Sequence, residues 1–229
     1  LGLNINMSGV YFWCPLIIKE TFNSTHLDII GISFLCGSIY FLVHKRHTLA
    51  TFFIALSFLG KLYPAILFPL YIQACFQQCK KSKENPWRIP ILNTLFFVGI
   101  IILGYTPFMG IGLNMFDGLK AYSLYWQSND SIFACFLFLF KSLPGDLSSI
   151  TFLSNSLPVF LSKLTVVSIL MGVLIWLLLK NTSLVKDPQM FLKQIFMLMA
   201  LVFLLSPIQN PWYLCWIVPF LCLFPNRSW

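Results

Sequence analysis

The chain has 229 residues, of which 58% are hydrophobic and only 10% are charged. Soluble domains average about 25% charged residues, so this composition, with a mean hydropathy of +0.82, excludes an ordinary soluble domain. It predicts an all-α membrane protein, a polytopic transmembrane helical bundle that occupies residues 1–229 as a single domain. The net charge of +8 does not indicate nucleic-acid binding, because the basic residues lie between apolar runs, where membrane topology explains them.

The apolar runs, taken in chain order, predict the membrane spans. About 20 apolar residues cross a bilayer, and the candidate runs are residues 27–43, 89–107, 157–179, 190–205 and, as a late span, 213–224. Residues 49–77 are too long for one crossing and short for two, and they break at Gly60-Lys61, which predicts broken or re-entrant helices. Residues 112–126 have one apolar face, which predicts an interfacial helix. Residues 131–140 are apolar but too short to cross.

The lysines and arginines predict the side that each loop faces. The loops HKRH (residues 44–47) and KKSKENPWRIP (80–90) are strongly basic, which places them on the inner side of the membrane. The turn at Lys61 and the stretches 108–157 and 206–213 then face outward. Most basic residues fall inside and most acidic residues fall outside in this arrangement.

The seven cysteines show no metal-binding pattern. Cys75 and Cys79 lie one helical turn apart, with no second pair and no accompanying histidine. Four others lie in apolar runs: Cys36, Cys135, Cys215 and Cys222. We therefore predict that the cysteines are buried packing residues, with a disulfide or a metal site as the alternative.

Polar side chains gather on the predicted outer side of the membrane. Lys61 is the most unusual of them, because an ammonium group in hydrocarbon costs at least ~2.5 kcal/mol and two prolines follow it in FLGKLYPAILFPLY. The candidate site residues, in chain order, are Glu20, His26, Asp28, Lys61, Tyr63, Tyr122, Trp126, Asn129, Gln209, Trp212 and Tyr213. Their concentration at one membrane face predicts a binding or catalytic site there.

Each of these groups also has a purely structural interpretation. Lys61 can extend its ammonium group to the outer head groups. Glu20 and Asp28 can be solvated loop charges, or Asp28 an acid favoured at a helix N-terminus, and His26 can act as a cap. The tyrosines and tryptophans fit the aromatic belt of any membrane interface. The combination of groups is more specific than any single member.

Four stretches together resemble one known family. They are YFWCPLIIKETFNSTHLD, with a glutamate and a His-x-Asp; FLGKLYPAILFPLY, with Lys-x-x-Pro; GLKAYSLYWQSNDSIF, with Tyr, Trp, Asn and Phe; and SPIQNPWYLCWIVPF, with Pro-Trp-Tyr. In this order they resemble the GT-C type of polytopic glycosyltransferases, in the branch of polyprenol-phosphate-mannose-dependent mannosyltransferases. The family's catalytic aspartate on the first outer loop has no counterpart here. Because the chain also begins without a methionine and ends directly after an apolar run, we expect a fragment truncated at both ends. Cys14 occupies the position of a family asparagine.

The resemblance implies transfer of a sugar, by analogy mannose, from a polyprenyl-phosphate donor to a glycan or glycolipid acceptor. Lys61 would hold the leaving phosphate, assisted by His26. Glu20 and Asp28 are catalytic candidates that would orient the acceptor, or bind a divalent cation if one is used, with the main base expected upstream. The aromatic candidates would stack on sugars or line the lipid entry. The implied location is a bacterial or archaeal plasma membrane with the site outside, or the endoplasmic reticulum with a lumenal site.

Other classes of membrane protein remain open from the sequence. A transporter or flippase, or a non-catalytic assembly subunit, also fits broken helices and a buried cation. A secondary transporter favours inverted repeats and a site near the bilayer midplane, whereas this sequence shows no repeat and clusters its polar residues at one face. Soluble enzyme classes lack support, because the sequence contains no P-loop, GxGxxG, HExxH or GxSxG motif.

Overall fold

The fold is helical throughout the part of the chain that the structure describes. The computed structural model describes residues 5–80, 85–128, 131–142, 151–184 and 186–224. These ranges contain no β-strand, and one isolated bridge joins Ser128 to Ile208. The prediction of an all-α protein is confirmed.

The α-helices follow the apolar runs, because a helix satisfies its own backbone hydrogen bonds in apolar surroundings. In chain order they are α1 (Ser8–Phe12), α2 (Pro15–Ile18), α3 (Asp28–Val43), α4 (His47–Gly60), α5 (Phe68–Cys79), α6 (Arg88–Tyr105), α7 (Asp117–Tyr125), α8 (Ile132–Lys141), α9 (Thr151–Lys180), α10 (Pro188–Leu205) and α11 (Val218–Leu223). The other helical segments are a π-helix at Lys19–Asn23 and 3₁₀-helices at Ile5–Met7, Tyr63–Leu67, Thr106–Phe116 and Pro211–Trp216.

Three helical segments are long and apolar enough to cross a membrane, namely Arg88–Ser123, Leu157–Lys180 and Pro188–Leu205. They coincide with the runs predicted at 89–107, 157–179 and 190–205. Helices α3, α4 and α8 are apolar but shorter. The 16 residues of α3 extend about 24 Å, less than the ~30 Å hydrocarbon core of a bilayer. The three segments support a membrane protein, while the complete bundle and the re-entrant helices stay predictions.

Helices α3, α4 and α5 run in alternating directions and define two ends of the molecule. Asp28 begins α3 and lies 2.7 Å from Lys61, which directly follows α4; we call this the polar end. Helix α5 then runs away from it, so that Cys75 lies 3.3 Å from His47, at the start of α4. This second end, with the turn His44–His47, is the basic end.

Helices α9 and α10 connect the same two ends. At the basic end, Gln73 of α5 donates a 2.7 Å hydrogen bond to the carbonyl of Leu178, near the end of α9. Helix α10 ends next to the polar end, because Tyr213, only a short loop further on, packs against Tyr63 with ring centroids 5.6 Å apart. The residues that follow α4 and α10 therefore meet in space.

The predicted break in residues 49–77 is confirmed and its geometry is defined. Helix α4 ends at Gly60, and Lys61 is extended, with φ −160° and ψ 140°. Pro64 and Pro69 lie in the first turns of the 3₁₀-helix and of α5. A proline costs nothing at those positions, where a backbone N–H has no helical partner. The two prolines therefore begin new helical segments.

Glycine allows α3 and α4 to approach each other closely at the polar end. A Cβ atom on Gly31 would lie 2.8 Å from the indole of Trp216, and one on Gly60 would lie 3.4 Å from the Cα of Gly31. Ser57 of α4 donates a 2.7 Å hydrogen bond to the Gly31 carbonyl. This contact fixes the distance between the helix that carries Asp28 and the helix that precedes Lys61.

Two predicted segments differ from the structure. Residues 213–224 do not form one spanning helix; a 3₁₀-helix and the six-residue α11 replace it, because Pro211 and Pro219 start separate turns. Residues 112–126 divide between the 3₁₀-helix Thr106–Phe116, which is kinked at Gly112 (φ +59°), and α7, which begins at Asp117.

The cysteine prediction is correct in part. Cys75, Cys79, Cys215 and Cys222 are buried, as expected of packing residues. Cys36 and Cys135 are exposed, so that interpretation is wrong for them: apolar neighbours in sequence do not determine which side of a helix faces inward. All seven thiols are free.

Candidate functional site

An ion pair between Lys61 and Asp28 forms the centre of the polar end. The Lys61 ammonium nitrogen lies 2.7 Å from Oδ1 and 3.0 Å from Oδ2 of Asp28. The carboxylate side chain is 9% exposed and the lysine side chain 25%. A charge-assisted contact of this length lets the two groups compensate each other in a place that water reaches poorly. The ion pair with Asp28 therefore offsets the free-energy cost of placing a lysine within an apolar run.

Asp28 accepts a further hydrogen bond from the far end of the chain. The indole Nε1 of Trp216 donates to its Oδ1 over 2.7 Å. Asp28 is also the first residue of α3, where the helix dipole favours a negative charge. Both carboxylate oxygens are thus engaged, so Asp28 is suited to position Lys61 rather than to accept a proton.

Aromatic rings surround the ammonium group of Lys61. Its nitrogen lies 4.3 Å from the ring centroid of Tyr213 and 5.9 Å from that of Tyr63. The Tyr213 hydroxyl lies 3.0 Å from that of Tyr122. Because an ammonium group over a ring face is attracted by the ring quadrupole, these rings hold the cation without neutralising it. Two of the predicted tyrosines thus lie against one charge, and a third, Tyr122, contacts one of them.

Glu20, the other candidate carboxylate, is buried in the π-helix Lys19–Asn23 and is 3% exposed. Its Oε1 lies 2.6 Å from the Lys19 ammonium, and this contact lowers the pKa of Glu20. Its Oε2 accepts no hydrogen bond within the described residues, although His26 Nε2 lies 3.4 Å away. Glu20 is therefore an ionised carboxylate with free lone pairs, and π-helical segments often occur at functional sites.

His26 connects Glu20 to the Lys61 cluster. Its imidazole stacks on the indole of Trp212, with ring centroids 4.1 Å apart and planes at 20°. Trp212 packs edge-on against Tyr213 at 5.9 Å, and Tyr213 lies against the ammonium of Lys61. Glu20 and Lys61 therefore belong to one continuous set of contacts.

The remaining predicted residues have other positions. Gln209 fixes the loop after α10: its side chain donates to the Leu204 carbonyl over 2.9 Å and lies 3.3 Å from the Ser131 hydroxyl. Its backbone N–H donates to the Ser128 carbonyl over 3.0 Å. Trp126 is 57% exposed beside Tyr122. Asn129 lies outside the described residues.

A narrow cavity lies beside the aromatic rings, between the end of α10 and the 3₁₀-helix Pro211–Trp216. It is lined by Tyr63, Met199, Val202, Phe203, Ser206, Tyr213 and Trp216, and its volume is only ≈ 10 Å³. A mainly apolar wall next to a cation suits a molecule with an apolar chain and an anionic head. The cavity would have to open to admit such a chain.

Within the described residues, no three histidine, cysteine, aspartate or glutamate side chains are arranged to hold a metal ion. The divalent cation of the sequence analysis therefore has no site of that kind there. The carboxylates are instead paired with Lys61 and Lys19.

Sequence reasoning missed Trp216 and Lys19, which contact the two carboxylates directly. A signal for Trp216 existed, because the indole N–H of a buried tryptophan needs an acceptor. The sequence offered no way to choose Asp28 among the possible acceptors. Lys19 had a simpler signal, since it precedes Glu20 in the chain.

Comparisons with family models, curated proteins and solved structures found no match to this chain.

Proposed function

We propose that the protein is a membrane-embedded glycosyltransferase of the GT-C type, which transfers a sugar from a polyprenyl-phosphate donor to a glycan or glycolipid acceptor. The observation that carries the proposal is Lys61, a partly exposed cation held by Asp28 and enclosed by tyrosines. The order of the four motifs supports the family. Mannose is the donor sugar that the resemblance favours.

Lys61 has the chemistry that the leaving phosphate requires. A donor phosphodiester carries one negative charge, and the departing polyprenyl phosphate gains a second as the bond to the sugar breaks. An ammonium group placed at that phosphate stabilises the charge that develops. Because Asp28 already compensates Lys61, the donor gains little in the ground state and the leaving phosphate gains more, which is the condition for catalysis.

The acceptor side of the reaction fits Glu20 better than Asp28. Asp28 has both oxygens engaged, whereas Oε2 of Glu20 accepts no hydrogen bond within the described residues. Since its pKa is lowered by Lys19, Glu20 remains ionised and is a weak base. It suits orientation of the acceptor hydroxyl by a hydrogen bond, with His26 beside it.

The membrane arrangement follows from the charges at the two ends. The basic end contains Lys45 and Arg46, and the positive-inside rule assigns such a turn to the inner side. The polar end then faces outward, to the exterior of a bacterial or archaeal plasma membrane or to the lumen of the endoplasmic reticulum. The apolar cavity beside Tyr63 and Tyr213 would open to the polyprenyl chain.

The test is a transfer assay with the full-length protein in membranes. Radiolabelled polyprenyl-phosphate mannose is supplied, and label in endogenous acceptors is followed for wild type, Lys61→Ala and Lys180→Ala. Lys180 is the matched control, because it also contacts an aromatic ring, 4.3 Å from the centroid of Trp176, at the basic end. We expect transfer by wild type and Lys180→Ala and loss in Lys61→Ala.

Other results would separate the rival classes. Normal transfer by Lys61→Ala would refute the phosphate role of the lysine. Absence of transfer by wild type with this donor, and also with other polyprenyl-phosphate sugars, would refute the enzyme proposal. A flippase or an assembly subunit would then be favoured.

A further inference from the structure

The basic end contains an open cavity that the proposed function does not use. Its volume is ≈ 390 Å³, within the range of about 300–1,000 Å³ that is typical of ligand pockets. It lies between the start of α4 and the first turns of α6. The lining residues are Lys45, Arg46, His47, Thr48, Leu49, Ile89, Leu92 and Asn93.

The cavity has a marked excess of positive charge. Lys45 and Arg46 line it, and within the described residues neither is paired with a carboxylate. The N-terminus of the 14-residue α4 opens into it, and the N-cap residue Arg46 gives that terminus no side-chain cap. Free N–H groups in a first helical turn favour an anion.

Asn93 provides an independent indication of a ligand. It is 4% exposed, it lines the cavity, and its amide nitrogen makes no hydrogen bond within the described residues. Cys75 lies beside it, but a thiol is a weak acceptor. A buried amide without a partner costs about 1–3 kcal/mol, and an acceptor-rich ligand in the cavity would remove that cost.

We infer that this cavity binds one phosphate-bearing anion, with Arg46 and Lys45 contributing charge and Asn93 a hydrogen bond. Phosphate oxygens accept hydrogen bonds from backbone N–H groups, guanidinium and amide alike. The other wall consists of Leu49, Ile89 and Leu92, which can accommodate the apolar part of a lipid. A phospholipid head group and a free phosphate compound share this chemistry. The site is separate from Lys61 and does not depend on the proposed enzyme activity.

The experiment measures phosphate binding to the full chain, purified in a neutral detergent and stripped of lipid. Phosphatidylglycerol, phosphatidylcholine and inorganic phosphate are titrated separately, and native mass spectrometry gives stoichiometry and Kd. The variants are Arg46→Gln, Asn93→Leu and, as the matched control, Lys180→Gln, which removes a charge from the same end outside the cavity.

We expect one phosphate-bearing ligand per chain, with Kd raised about tenfold or more in Arg46→Gln and in Asn93→Leu and unchanged in Lys180→Gln. The unliganded Asn93→Leu protein should keep or raise its Tm, because it loses a buried amide whose lack of a partner is unfavourable. Phosphatidylglycerol binding that inorganic phosphate does not displace identifies a lipid, and displacement at equal stoichiometry identifies a free phosphate compound. Equal Kd in all variants, or an equal loss in Lys180→Gln, would overturn the inference, because binding would then reflect diffuse positive charge.

Discussion

The two ends of the molecule use positive charge in opposite ways. At the polar end, Lys61 is paired with Asp28 and enclosed by rings. At the basic end, Lys45 and Arg46 are exposed and lie around an open cavity. A shielded cation needs a fixed partner and so acquires a defined position, whereas an exposed cation keeps its hydration and its freedom. Substitutions at the polar end should therefore affect both stability and chemistry, and those at the basic end mainly binding.

The largest effect should come from removing the carboxylate at the polar end. Asp28→Leu leaves the ammonium of Lys61 and the indole N–H of Trp216 without their acceptor. Breaking a buried ion pair costs ~3–5 kcal/mol, and we expect about 2–3 kcal/mol because a quarter of the lysine is exposed. Thermal unfolding in detergent measures it, with the exposed Asp117→Leu as control.

A double substitution sharpens that prediction. Asp28→Leu combined with Lys61→Met removes both charges and should recover most of the lost stability, since no unpaired charge remains. If Asp28→Leu and Asp117→Leu unfolded at the same temperature, the ion pair would not contribute to the fold as described.

Trp216→Phe should have the next largest effect. It removes the 2.7 Å hydrogen bond to Asp28 and keeps most of the ring packing. A hydrogen bond to a charged group contributes ~1.5–3 kcal/mol. Thermal unfolding should show that loss, while Trp176→Phe, at a residue 48% exposed, should be nearly neutral. Equal changes in the two variants would argue against the Trp216 contact.

Gly31→Ala tests the close approach of α3 and α4. The new methyl group would lie 2.8 Å from Trp216, so the indole must move, at a cost of ~1–3 kcal/mol. Gly99→Ala is the matched control in a helix with open space around the glycine, and it should stabilise by up to ~1 kcal/mol. A chemical denaturation series on both variants compares the free energies of unfolding; two stabilised proteins would contradict the packing.

A smaller effect is expected from the hydroxyl pair of Tyr213 and Tyr122. Tyr213→Phe loses one hydrogen bond of 3.0 Å, about 1 kcal/mol, but keeps its ring beside Lys61. Tyr122→Phe loses the same bond, so the double substitution should cost little more than either single one. Fully additive losses would mean that the two hydroxyls do not interact.

The smallest effect should be a dependence of stability on pH through Glu20. Lys19 lowers the pKa of Glu20 in the folded protein, so the unfolded chain takes up a proton first as the pH falls. The contribution to stability is present above the ordinary glutamate pKa of about 4.3 and is lost as the pH falls through the lower folded value. In a series of Tm measurements against pH, Lys19→Ala should narrow the pH range over which the Glu20 contribution is lost. An unchanged profile would contradict the contact between Lys19 and Glu20.

The sequence predicted the break at Lys61 because a glycine, a lysine and two prolines interrupt an apolar run, and a continuous apolar helix does not accommodate them. It also predicted the long apolar helices, because the length and hydrophobic composition of their sequences are sufficient to identify them. The sequence did not predict the division of residues 213–224 or the outward direction of Cys36, since both depend on how the helices pack.

For the same reason, the sequence could not predict which side chains contact each other within the candidate site. Asp28 meets Lys61 because Gly31 lets α3 approach α4, and it meets Trp216 because the chain returns to the polar end after α10. Contacts between residues this far apart follow from tertiary packing. Gln209 was predicted to contact a ligand, but its side chain instead fixes the loop after α10 through contacts with Leu204 and Ser131.

The most direct measurement compares the binding of polyprenyl phosphate and polyprenyl-phosphate mannose to the full-length protein in nanodiscs, for wild type and Lys61→Gln. If Lys61 binds the phosphate as its negative charge grows, wild type binds polyprenyl phosphate more tightly than the donor, and Lys61→Gln loses that preference. The same preference in both proteins would show that another group senses the phosphate, and the central role given to Lys61 would be wrong.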